Sequence, residues 1–146
     1  MSKSKPKPKR RSDCPLNISL EIFGDRWSLL IIRDMMFKER HDYKEFLQSE
    51  ERIATNVLSD RLKRLERHGI IEKEAHVTDA RKVNYRLTAK GIDLSPVLIE
   101  MIIWAARYEE TAAPPAVIRA MTRNRVKFVS DLRQRWKARR QQLPIN

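Results

Sequence analysis

The sequence predicts a mainly α-helical fold carrying one small β-hairpin. Three observations predict it. From Ile53 to His68, Leu58, Leu62 and Leu65 recur at the i, i+4, i+7 spacing of one helix face. Gly69 follows at once, and glycine enters the left-handed cap that closes a helix without strain. Two short extended runs, Ile70-Ile71 and Val83 to Leu87, then flank a polar tip from His76 to Lys82. A helix with an outward polar face and a basic hairpin beside it is the plan of a winged helix-turn-helix. In that plan the helix lies in a DNA major groove and the hairpin reaches the backbone or minor groove.

The other elements follow in chain order. Met1 to Arg11 alternates Lys with Pro, cannot bury apolar surface and is expected to be disordered. It is either a solubilising tail or a basic arm that follows phosphates. Pro15 suits a first helical position, with Asp13 or Cys14 as cap, and the short helix it opens stops at Gly24. Asp25 caps a second helix, Arg26 to about Phe37, which is apolar nearly all round and so forms the centre of the core. Asp42 caps a short helix holding Tyr43, Phe46 and Leu47, and residues 54–68 form the second helix of the helix-turn-helix.

After the hairpin, Thr88 caps a long helix reaching about Glu110 and bent at Pro96. Leu98, Met101, Ile102, Trp104, Ala105 and Tyr108 make it apolar over almost its whole circumference. A small domain cannot cover such a helix alone, so these residues point to a two-fold interface between copies. Pro114-Pro115 breaks the chain, and Ala116 to Gln142 reads as one further amphipathic helix rich in Arg and Lys. It can dock on the domain, touch DNA backbone or lie on a membrane, and docking with the basic face outward is favoured. The organisation is thus a basic arm at 1–12, a DNA-binding and dimerisation domain at 13–110 and a basic helical extension at 111–146.

Charge placement refines this. The 146-residue chain carries a formal +12 with a pI near 10.3. Residues 1–11 contribute +6, residues 119–140 contribute +8, and the stretch between them −2. The central domain is therefore no general polyanion binder, and any DNA affinity there rests on local placement of charge. The one cysteine excludes an internal disulfide. No apolar run spans a bilayer and no secretion signal is present, so a soluble cytoplasmic protein is expected. His41, His68 and His76 are scattered, no Gly-rich phosphate loop exists, and no catalytic order of Ser, His and Asp stands out. Neither an enzyme nor a cofactor is expected.

Residues 14–110 closely resemble the HxlR-type winged helix-turn-helix transcriptional regulators of bacteria. The matching pieces are CP at Cys14-Pro15, GDRW at Gly24 to Trp27, LLIIRDMM from Leu29 to Met36 and YKEF at Tyr43 to Phe46. They continue with IATNVLSDRLKRLERHGII from Ile53 to Ile71, VNYRLTAKG from Val83 to Gly91, and the aromatic-bearing helix around Trp104. The resemblance implies a homodimer, a repressor more than an activator, on an inverted repeat of double-stranded DNA. It also implies that the first helix, with Leu16, Leu20 and Phe23, joins the post-hairpin helix in the dimer interface. Many members respond to a small electrophile or oxidant through a cysteine at the position of Cys14. Ala54 departs from the family, which often has a capping Ser there, so the helix can start at Thr55.

The candidate DNA contacts are Tyr43 on the first helix of the motif and Thr55, Asn56 and Ser59 as base readers, since Asn pairs at two points with adenine. Arg61, Lys63 and Arg64 are candidate phosphate contacts, and Asp60 either accepts from a cytosine amino group or braces an Arg. Arg81 and Lys82 are the wing contacts. At Cys14 a helix N-terminus and nearby Lys9, Arg10 and Arg11 favour thiolate, while Asp13 opposes it. The rival reading is a basic protein acting through its charged ends on RNA or an anionic membrane.

Overall fold

A computed structural model describes residues 6, 9–76 and 78–142; most of the 1–12 arm lies outside them. The elements run α1 (Pro15–Phe23), α2 (Ser28–Phe37), α3 (Tyr43–Phe46), α4 (Thr55–Arg67), β1 (Ile71–Glu74), β2 (Asn84–Leu87), α5 (Ala89–Ile92), α6 (Ser95–Tyr108), α7 (Pro115–Arg123) and α8 (Arg125–Gln142). The result is a winged helix-turn-helix with further helices packed behind the wing.

Cys14 occupies the cap position of α1, but no side chain there closes the helix. None of the residues of α1 is buried within the subunit. The second helix starts two residues later than expected, because Arg26 and Trp27 form a turn. Asp25 still satisfies its first amides: Oδ1 accepts from the Trp27 and Ser28 N–H groups (2.8 and 3.0 Å) and Oδ2 from the Ser28 hydroxyl (2.5 Å). Burial works to raise the Asp25 carboxyl. Ser28, the two amides and Arg61 overcome it and hold the group at about 2. As expected, α2 is central, burying Ile31, Ile32, Met35 and Met36.

Asp42 and Glu45 form a reciprocal capping box on α3. The turn into α4 carries Arg52 at φ 56, a left-handed conformation in a non-glycine residue. Arg33 on α2 holds that turn: its guanidinium donates to Glu51 (2.6 Å) and Ser49 (3.1 Å), and the Ser49 hydroxyl donates to Glu51 (2.6 Å). Helix α4 starts at Thr55, with extended Ala54 in the cap position and offering no side-chain oxygen to the first amides. It ends in a Schellman motif, with Gly69 at φ 71, Gly69 N–H donating to Glu66 O (3.0 Å) and Ile70 N–H to Leu65 O (2.9 Å). Strands β1 and β2 pair antiparallel from Ile71↔Leu87 to Glu74↔Asn84.

Two helix expectations need correction. The helix after the wing is interrupted, not bent. Pro96 has no N–H for the Ile92 carbonyl, so α5 ends there and α6 restarts with Pro96 in its first turn, where the missing donor costs nothing. The stretch 116–142 is two helices separated at Asn124, whose side chain accepts from the Lys127 N–H (3.0 Å) and starts α8.

The extension docks. Met121 of α7 and Leu132 of α8 are buried in one continuous core with α2, α4 and α6. Of the nine cations between 119 and 140, five pair with carboxylates: Arg125 with Glu100, Lys127 with Asp131, Arg133 with Asp93, Arg139 with Glu74 and Arg140 with Glu72. The excess of acids in the central stretch is thus partly matched by the extension folded against it. Among the described residues no helix is long and apolar enough to cross a membrane.

Candidate nucleic-acid interface

Helix α4 divides cleanly. Leu58, Leu62 and Leu65 face the core and are buried. Thr55, Asn56, Asp60, Lys63, Glu66 and Arg67 are exposed on the opposite arc. The Tyr43 hydroxyl donates to the Thr55 carbonyl (2.8 Å) and accepts from the Ser59 hydroxyl (3.4 Å). Tyr43 and half-buried Ser59 therefore tie the start of α4 to α3 as well as bordering the exposed arc.

Arg61 and Arg64, expected as phosphate contacts, turn toward the protein. Arg61 pairs with Asp25 (3.0 Å) and with neighbouring Asp60, and Arg64 donates to the Glu21 carbonyl (3.0 Å). The physical reason is position: both lie on the flank of α4, Arg61 beside the acid that follows α1 and Arg64 beside a carbonyl in the last turn of α1. Asp60 is thus the brace anticipated as one of its two roles. Sequence reasoning missed Arg67, although it stands one helical turn after Lys63 on the same arc. It also missed Lys44, exposed on α3, which with Lys82, Val83 and Tyr85 lines a groove between α3 and the wing.

The wing tip is tethered to α3. Asp42 Oδ2 accepts from His76 Nε2 (3.3 Å), while His76 Nδ1 accepts from the amides of Thr78 (3.2 Å) and Asp79 (3.1 Å). Those two acceptor contacts place the ring proton on Nε2. Burial works to raise the Asp42 carboxyl, but the Glu45 amide, His76 and Lys82 together hold it below the usual carboxylate range. At the tip, Arg81 is 90% exposed and leans on Asp79 (3.2 Å), and Lys82 is exposed.

Cys14 is exposed. The amides of Asn17 and Leu16 at the start of α1 lower its thiol from the ordinary value. These backbone donors, and not the nearby cations named from sequence, supply the shift. Of the interface candidates, Leu16, Leu20, Met101, Trp104 and Tyr108 are exposed, at 67%, 55%, 54%, 63% and 64%. Phe23, Ile102 and Ala105 are half-buried, whereas Leu98 is buried in the subunit's own core and is not available to a partner. The Trp104 and Tyr108 rings lie 5.6 Å apart.

This arrangement matches the HxlR-like helix-turn-helix family over residues 22–113. The chain belongs to that family. The HTH-type transcriptional regulator YodB of Bacillus subtilis is 35% identical over 98 residues, covering 66% of this chain and 87% of YodB. A regulator of the same type from Synechocystis is 34% identical over 88 residues, which is 60% of this chain and 64% of that protein. Among solved structures, YodB in its reduced form superposes with a TM-score of 0.53 at 34% identity, over 65% of this chain and 93% of YodB. YodB has also been solved bound to quinone. The redox regulator HypR in its oxidised form superposes with a TM-score of 0.58 at 26% identity, over 67% of this chain and all of HypR. The HxlR-like match ends at residue 113, before α7 and α8.

Proposed function

We propose that this HxlR-like protein is a dimeric, sequence-specific transcriptional repressor that reads an inverted repeat with α4. One observation carries the reading: α4 buries its leucine stripe completely and leaves Thr55, Asn56, Lys63 and Arg67 open on a single arc. Thr55 and Asn56 read base edges, with Ser59 at the margin. Lys63, Arg67, Arg81 and Lys82 contact phosphates, the last two from the wing. Two copies joined through α1 and α6 set the half-sites about 34–36 Å apart, or a multiple of it. The rival reading, a basic protein acting through its ends on RNA or membrane, is disfavoured because five cations of the extension are engaged by the protein's own acids.

Selection of bound duplexes from a random pool tests the proposal. Enrichment of a palindrome is the expected result, and a bound pool with no shared sequence overturns it.

Cys14 is the proposed sensor. A quinone takes the thiolate by addition to a ring carbon, the electron pair passing into the ring and ending as a protonated hydroquinone. With diamide as oxidant, two Cys14 thiols from two subunits give up two hydrogens and form a disulfide. We expect diamide or quinone to change operator affinity at least severalfold in wild type and to leave Cys14→Ser unaffected. Equal affinity with and without reagent in wild type rules the sensor out.

A further inference from the structure

The cross-strand pairs Glu72↔Arg86 and Glu74↔Asn84 place four polar side chains on one face of the wing hairpin. Such a face ordinarily meets water. Here Glu74, Asn84 and Arg86 are 0%, 4% and 4% exposed. The cover comes from α8. Arg139 pairs with Glu74, Arg140 donates to Glu72 (2.7 Å) and to the Leu87 carbonyl (3.1 Å), and the Trp136 indole N–H donates to the same carbonyl (2.8 Å). The Arg140 guanidinium also lies 5.0 Å from the centre of the Trp136 ring.

From Glu74 a polar path continues to the wing tip. Asn84 donates its side-chain amide to Glu74 (2.7 Å) and bridges through its backbone to Asp42. Asp42 holds His76, and His76 holds the amides of Thr78 and Asp79. At its other end α8 is fastened to the helices behind the wing, by Leu132 in the core, Arg133 on Asp93 (2.5 Å) and Arg125 on Glu100. Neither Glu74 Oε2 nor Arg139 Nε, both buried, has another partner among the described residues. Loss of Arg139 therefore leaves the buried Glu74 carboxylate with Asn84 as its one hydrogen-bond partner among the described residues, and buried charge is tolerated only when paired.

We propose that α8, which lies beyond the residues matched to the family, is a built-in brace for the wing, with Arg139 as the positioning residue that fixes the hairpin tip through Glu74 and Asn84. The consequence for DNA rests on the reading that the wing touches the duplex; the consequence for the free protein does not. Deleting α8 would remove buried Leu132, so point variants are the proper test.

Hydrogen exchange is measured on the free, full chain as wild type, Arg139→Gln and Glu74→Gln. The amides of Thr78, Asp79, Arg81 and Lys82 are expected to exchange about tenfold faster in both variants, with the amides of Leu62 and Leu65 in α4 unchanged. Unchanged exchange at the tip in both variants, or equal acceleration in α4, overturns the brace. Hydroxyl-radical footprinting on the selected duplex then reads the wing. Flanking protection is expected to weaken severalfold in Arg139→Gln, with protection at the α4 half-site retained. A uniform loss at both places also overturns the positioning role. If wild type protects no flank at all, it is the DNA reading of the wing that fails, and the exchange result still decides the brace.

Discussion

Trp104→Glu is expected to convert a dimer into a monomer at micromolar concentration and to weaken binding to a palindromic duplex by at least about a hundredfold. Trp104 is 63% exposed on α6, and its ring lies 5.6 Å from that of Tyr108, itself 64% exposed. No residue of helix α1 is fully buried in its own subunit, and apolar Leu16 and Leu20 stand exposed on it. Large apolar patches of this kind mark interfaces, and an aromatic at the centre of one typically contributes about 2 kcal/mol or more. In a two-fold interface each residue counts twice, so one substitution removes about 4 kcal/mol, near a thousandfold in dimer affinity. A buried carboxylate on each side adds a desolvation cost. Sedimentation velocity at several concentrations reads the first effect and titration of labelled duplex the second. Because the side chain is exposed, circular dichroism should show the monomer folded. A wild type that sediments as a monomer, or a variant that remains a dimer, refutes the interface.

Asn56→Ala is expected to cost about 1–3 kcal/mol on the selected duplex and close to nothing on random DNA of equal length. Asn56 sits in the first turn of α4, exposed, and its side chain makes no hydrogen bond to the described residues. Its removal opens no cavity and breaks no internal contact, so the loss reports on the base edge alone. Alanine is also a better helix former than asparagine, which keeps thermal stability level or slightly higher. Anisotropy titrations on both duplexes at one fixed salt concentration are the measurement, since affinity varies steeply with salt. Equal loss on both duplexes means that Asn56 does not read sequence.

The helix-turn-helix and wing were legible because their signals act over a few residues. The Leu58–Leu62–Leu65 spacing, the Asp42 cap and the glycine at 69 each state a local conformation, and each appears where expected. Two local signals were underread. Pro96 belongs to a helix start and not an interior, and Asn124 is a cap in the middle of an apparently continuous run. Which cations the protein's own acids and carbonyls would engage was not legible. Arg61, Arg64 and Lys63 look alike in sequence, yet only Lys63 remains open.

The residue order by itself determined the kinds of elements, the outward arc of α4 and the surplus of positive charge, since periodicity and capping depend on neighbours within a turn or two. Only the folded chain decided which charges are left for a partner and why a polar hairpin face lies buried. Arg61 meets Asp25 across 36 residues and Arg140 meets Glu72 across 68. Electrostatic attraction follows distance in space and exclusion of water, and neither quantity is written in the spacing of letters.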